Sequence, residues 1–365
     1  MKNTFGNSLS ITLFGESHGP YIGAVLDGLA PGIEIDREFI ENQLLLRRPA
    51  GKISTARVEA DEFSFASGVF NGKTTGTPLC ILIPNSVQKS SDYGEEKERA
   101  ARPGHADFTG RVKYHGFDDY RGGGHFSGRI TAALVAAAAI VIPALNKKGI
   151  YIGTHIKSLG DITDRDFSDY KSDIELLSHK VFAVLDDAKA REMTEKIEET
   201  AALKDSIGGV LETVVYGMPA GVGEPWFDSV ESVLSHGLYG IPGVKGVQFG
   251  AGFDLVGGYG SEFNDPLYND NGNIRTKTNN NGGINGGITN GMPIIIRLAV
   301  KPTPSIYKEQ DTVLLNSGND TKLSIQGRHD PAIIHRARVV ADSVTALCIY
   351  DLLAVRFGTD FFKGE

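Results

Sequence analysis

Apolar and polar positions alternate from Ser8 to Phe14 and again from Tyr21 to Asp27, the period-two pattern of half-buried strands. After Asp36, a good N-cap residue, the period lengthens: Phe39, Ile40, Leu44 and Leu45 form the apolar stripe of a helix ending near Arg47. Ser127 precedes an alanine-rich run to about Lys147, which predicts a close-packed central helix. Farther on, Ala188 to Lys204 reads as an exposed charged helix and Asp228 to Leu238 as a helix. Ile207–Tyr216, Val244–Leu255 and Pro293–Val300 read as strands, and Arg336–Phe357 as a long helix. Ile22-Gly23-Ala24-Val25-Leu26-Asp27 followed by Ala30-Pro31-Gly32 has a faint echo in Ile207-Gly208-Gly209-Val210-Leu211-Glu212 followed by Pro219-Ala220-Gly221. That echo leaves an internal duplication open.

A chain of 365 residues can bury a substantial core, as one large domain or two intimately packed ones. Glycine is the outlier, 45 residues in all against a usual share of roughly 7%, so tight turns and close backbone approaches are expected. A formal charge of −8 argues against a nucleic-acid partner and confines any anion site to local arginines. Cys80 and Cys348 lie far apart in apolar surroundings and read as buried free thiols. Met1 to Leu13 has no basic region leading into an apolar core, and the longest apolar run, Ile130 to Leu145, carries Thr131 and Pro143. No signal peptide or membrane span is expected, and the expected location is cytoplasmic.

Asn85–Ala101 and Phe263–Gly291 look mobile. The second, rich in asparagine and glycine, reads either as a flexible surface loop or as a functional one whose glycine amides receive phosphate or a flat ring.

Four short stretches set ionisable residues among glycine and proline: Gly15-Glu16-Ser17-His18-Gly19-Pro20, Arg102-Pro103-Gly104-His105-Ala106-Asp107, Arg121-Gly122-Gly123-Gly124-His125-Phe126-Ser127-Gly128-Arg129 and Gly327-Arg328-His329-Asp330-Pro331. Each histidine alone could be a surface-turn residue. His18, His105 and Asp330 together form a general acid/base set, or alternatively the ligands of a metal in a phosphohydrolase. Arg47, Arg48, Lys52, Arg57, Arg129 and Arg328 form a second constellation. Arg47 and Arg48 at a helix end would favour the dipole there. Arg129 near a helix start opposes it, a conflict that a bound anion would resolve. Neither a Walker loop nor a strand before Gly122-Gly123-Gly124 is present, so the nucleotide fingerprints fail.

In these segments the chain resembles chorismate synthase, and the resemblance runs through Phe14-Gly15-Glu16-Ser17-His18-Gly19, Arg47-Arg48-Pro49, Ser67-Gly68-Val69-Phe70, Thr75-Gly76-Thr77-Pro78, Arg102 to Asp107, Asp119 to Gly124, Val244-Lys245-Gly246-Val247, Gly282-Gly283-Ile284, Lys301-Pro302-Thr303 and Gly327 to Pro331. It implies an α+β fold, a β-α-β sandwich with long central helices between antiparallel sheets, assembled as a homotetramer. It also implies an anti 1,4-elimination of phosphate and the C6 proton from 5-enolpyruvylshikimate 3-phosphate. Reduced FMN would be required without net oxidation; because the chain shows no nicotinamide fingerprint, a separate flavin reductase is expected to supply it, the alternative being reduction within the same fold as in some relatives.

By the same resemblance His18 protonates the departing phosphate, His105 lies near the flavin and Asp330 helps move the proton through flavin N5. Arg47, Arg48, Lys52 and Arg129 would face substrate anions. The flavin contacts would be His125, Phe126, Ser127, Pro242, Gly243, Gly286, Lys301, Pro302, Thr303, Pro304, Ser305 and Arg328. Two segments depart from the family pattern: His125-Phe126-Ser127-Gly128-Arg129-Ile130-Thr131-Ala132 lacks one arginine and one glutamate of many relatives, and Ala50-Gly51-Lys52-Ile53 replaces a glycine and arginine pattern. Lys52 cannot reproduce a bidentate arginine contact. A flavin-binding module without chemistry is the further alternative raised by the first departure.

Overall fold

The computed structural model describes residues 2–49, 53–54, 60–85, 99–325 and 330–364. Two five-stranded antiparallel sheets dominate it. In the first, Thr4–Phe5, Ser10–Gly15, Tyr21–Asp27, Leu79–Pro84 and Ser64–Ser67 lie side by side in that order. Its central pair runs in register from Tyr21 opposite Pro84 to Leu26 opposite Leu79. Ile22, Ala24 and Leu26 from one strand and Leu79, Ile81 and Ile83 from the other are fully buried, the alternation that one covered face imposes. In the second sheet the order is Val244–Phe249, Ile294–Val300, Gly209–Tyr216, Tyr151–Leu159 and Ile162–Thr163.

Helix Thr131–Lys147 packs on the two central strands of the first sheet, and helix Ile334–Phe357 packs on Tyr151–Leu159 and Gly209–Tyr216 of the second. The two helices also pack on each other. Alanine makes that close approach feasible: Ala132, Ala133, Ala136, Ala137 and Ala138 are wholly buried. The run Gly128–Lys147 is long and apolar enough to cross a membrane, yet 78% of that window is buried inside the protein. Its apolarity is thus accounted for by the core, where each large side chain contributes about 1.5–3 kcal/mol.

Polar ties hold the C-terminal helix to the N-terminal strands. Buried Asp351 accepts hydrogen bonds from the backbone N–H groups of Asn7, Ser8 and Leu9, and Tyr350 Oη accepts one from Ala30. A buried chain of charges runs through the second sheet. His155 lies 2.7 Å from Asp164 and 3.2 Å from Glu212, which receives Arg297 at 2.6 Å.

The predicted helix from Asp36 spans Arg37–Arg47, with the Asp36 side chain accepting from the Phe39 amide. Leu45 departs from its expected stripe and is exposed, whereas Ile40 and Leu44 are buried. The strand expected over Val244–Leu255 ends at Phe249. Gly250 and Gly252 adopt φ of 55° and 53°, outside strand geometry, and the chain turns into a short 3₁₀ segment.

Cys80 is only half-buried, unlike Cys348, and both are free thiols. The Asn/Gly-rich stretch is tied down rather than featureless. It contains the hairpins Leu267–Asp270/Asn273–Thr276 and Ile284–Asn285/Ile288–Thr289, and Asp265 accepts from the amides of Asn280 and Asn281. Of the other stretch expected to be mobile, residues 86–98 lie outside the described residues.

Candidate active site

A cavity of about 880 Å³ opens where several turns meet. The end of helix Arg37–Arg47 brings Arg47, Arg48 and Pro49. The turn at Gly104 brings His105, and the segment before the alanine-rich helix brings His125, Phe126, Ser127 and Arg129. Two loops bring Pro242 and Gly243, and Lys301 to Ser305, while the start of the C-terminal helix brings Asp330 and Arg336. Lys52 and Arg328 lie outside the described residues. Gly286 does not border the cavity. It sits in the turn of the small Ile284–Thr289 hairpin, and its neighbour Gly287 accepts from Val230 at the start of a helix. His18 is likewise not a wall residue of the cavity.

The arginines gather on a residue that the sequence did not single out. Asp61, with a fully buried side chain, lies 3.2 Å from Arg47 and 3.8 Å from Arg48 and is hydrogen-bonded to Arg129. Its φ of 50° is left-handed, a region aspartate tolerates better than most side chains. Burial pushes Arg47 down to about 10, with Asp61 opposing the fall and Arg336 and Arg129 adding to it. Burial also pushes the Asp61 carboxyl up, but Arg47 and Arg129 outweigh it and hold it below the usual carboxylate range. The cation at the helix start therefore needs no external anion to settle it, because Asp61 is the resident counter-charge of Arg129.

The two histidines flank the triple glycine. A Cβ at Gly122 would stand 2.4 Å from His18 Cε1, and one at Gly123 would stand 3.7 Å from His105 Cε1. All three glycines have positive φ, and a Cβ at Gly122 would collide with the His18 ring and one at Gly124 with the Asp119 carbonyl, so this backbone path favours residues without side chains. His18 is buried, with Nδ1 3.2 Å from Ser17 Oγ, which donates to the Arg121 carbonyl. His125 Nδ1 donates to the Gly15 carbonyl at 2.8 Å, tying the departing segment to the first motif.

Much of the remaining motif charge is architectural. Asp107 takes both Nε and Nη2 of Arg102 and also its backbone N–H, locking the turn that presents His105. Burial opposes the Asp107 charge, but the Arg102 contacts prevail and lower its pKa. Lys301 Nζ donates to the Gly104 carbonyl, and Arg121 pairs with Asp119.

Two further observations bear on ligands. Arg47 Nε and Thr303 Oγ1 are buried with no hydrogen-bond partner among the described residues, and Arg48 Nε makes only the 3.8 Å approach to Asp61; with Arg47, Arg48, Arg129, Lys301 and Arg336 along its wall, the cavity is suited to an anionic, polar ligand. No group of three or more His, Cys, Asp or Glu residues positioned to hold a metal occurs among the described residues, so His18, His105 and Asp330 do not form the metal site considered as the alternative. Besides Asp61, sequence reasoning missed Arg336, which donates to Asp330. Its signal was the one used for Arg129, a cation in the first turn of a helix.

The chorismate synthase family model matches residues 9–354. The chorismate synthase of Pyrococcus abyssi is 43% identical over 351 residues, covering 96% of this chain and 97% of its own. That of Dehalococcoides mccartyi is 44% identical over 359 residues, covering 98% of each. A solved structure, "Crystal Structure of Chorismate Synthase", superposes with a TM-score of 0.76 at 27% identity, covering 97% of this chain and 94% of that one.

Proposed function

This chain belongs to the chorismate synthase family of lyases, and from that membership we propose that it converts 5-enolpyruvylshikimate 3-phosphate to chorismate by anti 1,4-elimination with reduced FMN bound. The observation that carries the proposal is one cavity bordered by His105, Asp330 and the arginines Arg47, Arg48 and Arg129. Such a site can hold a phosphate ester and exchange protons with it.

Arg47 and Arg48 bind the anionic groups of the substrate, and burial strengthens those contacts by removing competing water. The family resemblance gives His18, which does not border the cavity, the role of protonating the phosphate oxygen as the C–O bond breaks, and Asp330, which does border it, the role of holding the proton that leaves C6. Pro242, Gly243 and Lys301 to Ser305 would hold the flavin, with Thr303 Oγ1 as an uncommitted polar contact. The volume of the cavity lies within the range of ligand sites, so these residues fit such a group. Bound reduced flavin supplies transient electron density that helps expel phosphate.

The β-α-β sandwich and the single domain over residues 1–365 belong to the same proposal, supported by two sheets each packed on one long helix, an arrangement compatible with the internal duplication left open above. So do a homotetramer, a cytoplasmic location and a separate flavin reductase. Incubating the protein anaerobically with the enolpyruvyl ester and chemically reduced FMN is expected to release phosphate and chorismate in equal amounts. Absence of both would refute the reading.

A further inference from the structure

Asp61 is an acidic wall residue of the cavity that the proposed elimination uses neither as acid nor as base. Its buried carboxylate joins three parts of the chain. Arg47 and Arg48 come from a helix end, and Arg129 comes from the segment leading into the alanine-rich helix. Through Arg129 the junction extends to the first sheet, because Nε donates to Asn85 Oδ1 at 3.0 Å and Nη2 to the Pro84 carbonyl at 3.3 Å. The Arg129 guanidinium is thus engaged by protein on three of its nitrogens, the third being Nη1 on Asp61. Arg47 reaches Asp61 through Nη2 and the Gly128 carbonyl through Nη1, and its Nε has no hydrogen-bond partner among the described residues.

Three guanidinium groups around one carboxylate leave a formal excess of two positive charges, the complement of a phosphate dianion. Without the carboxylate, three like charges would share a space in which Arg47 and Arg129 are both buried, and Arg47, which has fewer hydrogen bonds among the described residues to hold it than Arg129, would be driven to turn away. We propose that Asp61 is a positioning residue, which anchors Arg47 and Arg48 on the fixed Arg129 so that their side chains, which line the cavity, meet a phosphate-bearing ligand. It is not a competitor that the ligand must displace. The identity of the phosphate ester rests on the elimination reading, whereas the anion site itself does not.

The test is calorimetric titration of inorganic phosphate into the full-length, flavin-free parent and its Asp61→Asn and Asp61→Glu variants. Asp61→Asn is expected to weaken phosphate binding about tenfold or more, and Asp61→Glu, which keeps the charge but moves it, to fall between that variant and the parent. In turnover, the KM for the enolpyruvyl ester should rise by a similar factor while kcat changes much less, a split that a general packing defect would not produce. Equal or tighter phosphate binding by Asp61→Asn overturns the proposal, as does a parent that binds no phosphate. If Asp61→Asn does not fold, Asp61→Glu decides: weaker binding than the parent supports the proposal, and equal or tighter binding overturns it. Phosphate affinity that responds to Asp61 in a protein inactive on the ester would sustain this inference and remove the reaction reading.

Discussion

Arg336 donates through Nη1 to Asp330 Oδ2 at 2.6 Å, while its Nε donates to the Arg47 carbonyl at 2.9 Å. One guanidinium therefore sets both the orientation of the proposed proton-holding carboxylate and the end of the helix that carries the anion-binding arginines. Arg336→Gln is expected to lower kcat about tenfold to a hundredfold, because catalytic geometry is sensitive to small displacements. Arg336→Lys should recover only part, since lysine cannot keep both contacts in one plane. Anaerobic steady-state assays of phosphate release measure this, and an unchanged kcat in Arg336→Gln would show that Asp330 needs no such support.

His18 lies beside Gly122 and His105 near Gly123, and of the two only His105 borders the cavity. If His18 is the proton donor, His18→Ala should reduce phosphate release by about 10²–10⁴-fold while leaving flavin affinity near the parent value. Fluorescence titration with FMN separates the two effects. Equal losses of flavin binding and turnover would instead make His18 a structural support of the flavin site.

His335 is buried in the first turn of the C-terminal helix, hydrogen-bonded to Ser54 Oγ at 2.6 Å. Burial pushes it down from 6.5 to about 4, with Asp330 opposing the fall and Arg336 adding to it. As pH falls through that window, the unfolded chain takes up a proton that the folded protein refuses, so stability is lost. His335→Gln removes this linkage. The stability difference between parent and variant should shift against the parent by about 2 kcal/mol between about pH 7 and about pH 5. Urea unfolding at the two pH values checks it, and a difference independent of pH would contradict a neutral buried imidazole.

Gly23 occupies a central strand of the first sheet, where a Cβ would come within 2.3 Å of Phe14 Cζ and 2.5 Å of the Ile81 carbonyl oxygen. The ring could shift, but the carbonyl belongs to the neighbouring strand and cannot. Gly23→Ala should cost about 1–3 kcal/mol, seen as a lower Tm by calorimetry, and a melting temperature equal to the parent's would mean that the strands separate without penalty.

Elements with a strong period were legible in the chain: Tyr21–Asp27 was read to the residue, and the long C-terminal helix begins at Ile334, two residues before its expected start at Arg336. Strand Tyr151–Leu159 was missed, because burial of His155 beside Thr154 and Ile156 interrupts any simple apolar alternation. The motif residues were visible through their glycine and proline settings, which is a local signal. Asp61 has no such setting. Its role comes from three arginines that reach it from 14, 13 and 68 positions away, and separations of that kind leave no trace in spacing. The Arg102–Asp107 lock, by contrast, lies within one glycine- and proline-framed motif, five positions apart, but the motif alone did not show that its two ends pair.

The triple glycine also limits how this site can be altered. The backbone at Gly122 occupies the space beside the His18 ring where a neighbouring side chain would normally stand, so no substitution at that position can adjust the histidine without displacing it. Among the described residues, Ser17 touches His18 and Asp119 acts on it through charge. Altering the His18 environment therefore runs through such side-chain neighbours rather than through the adjoining glycine backbone.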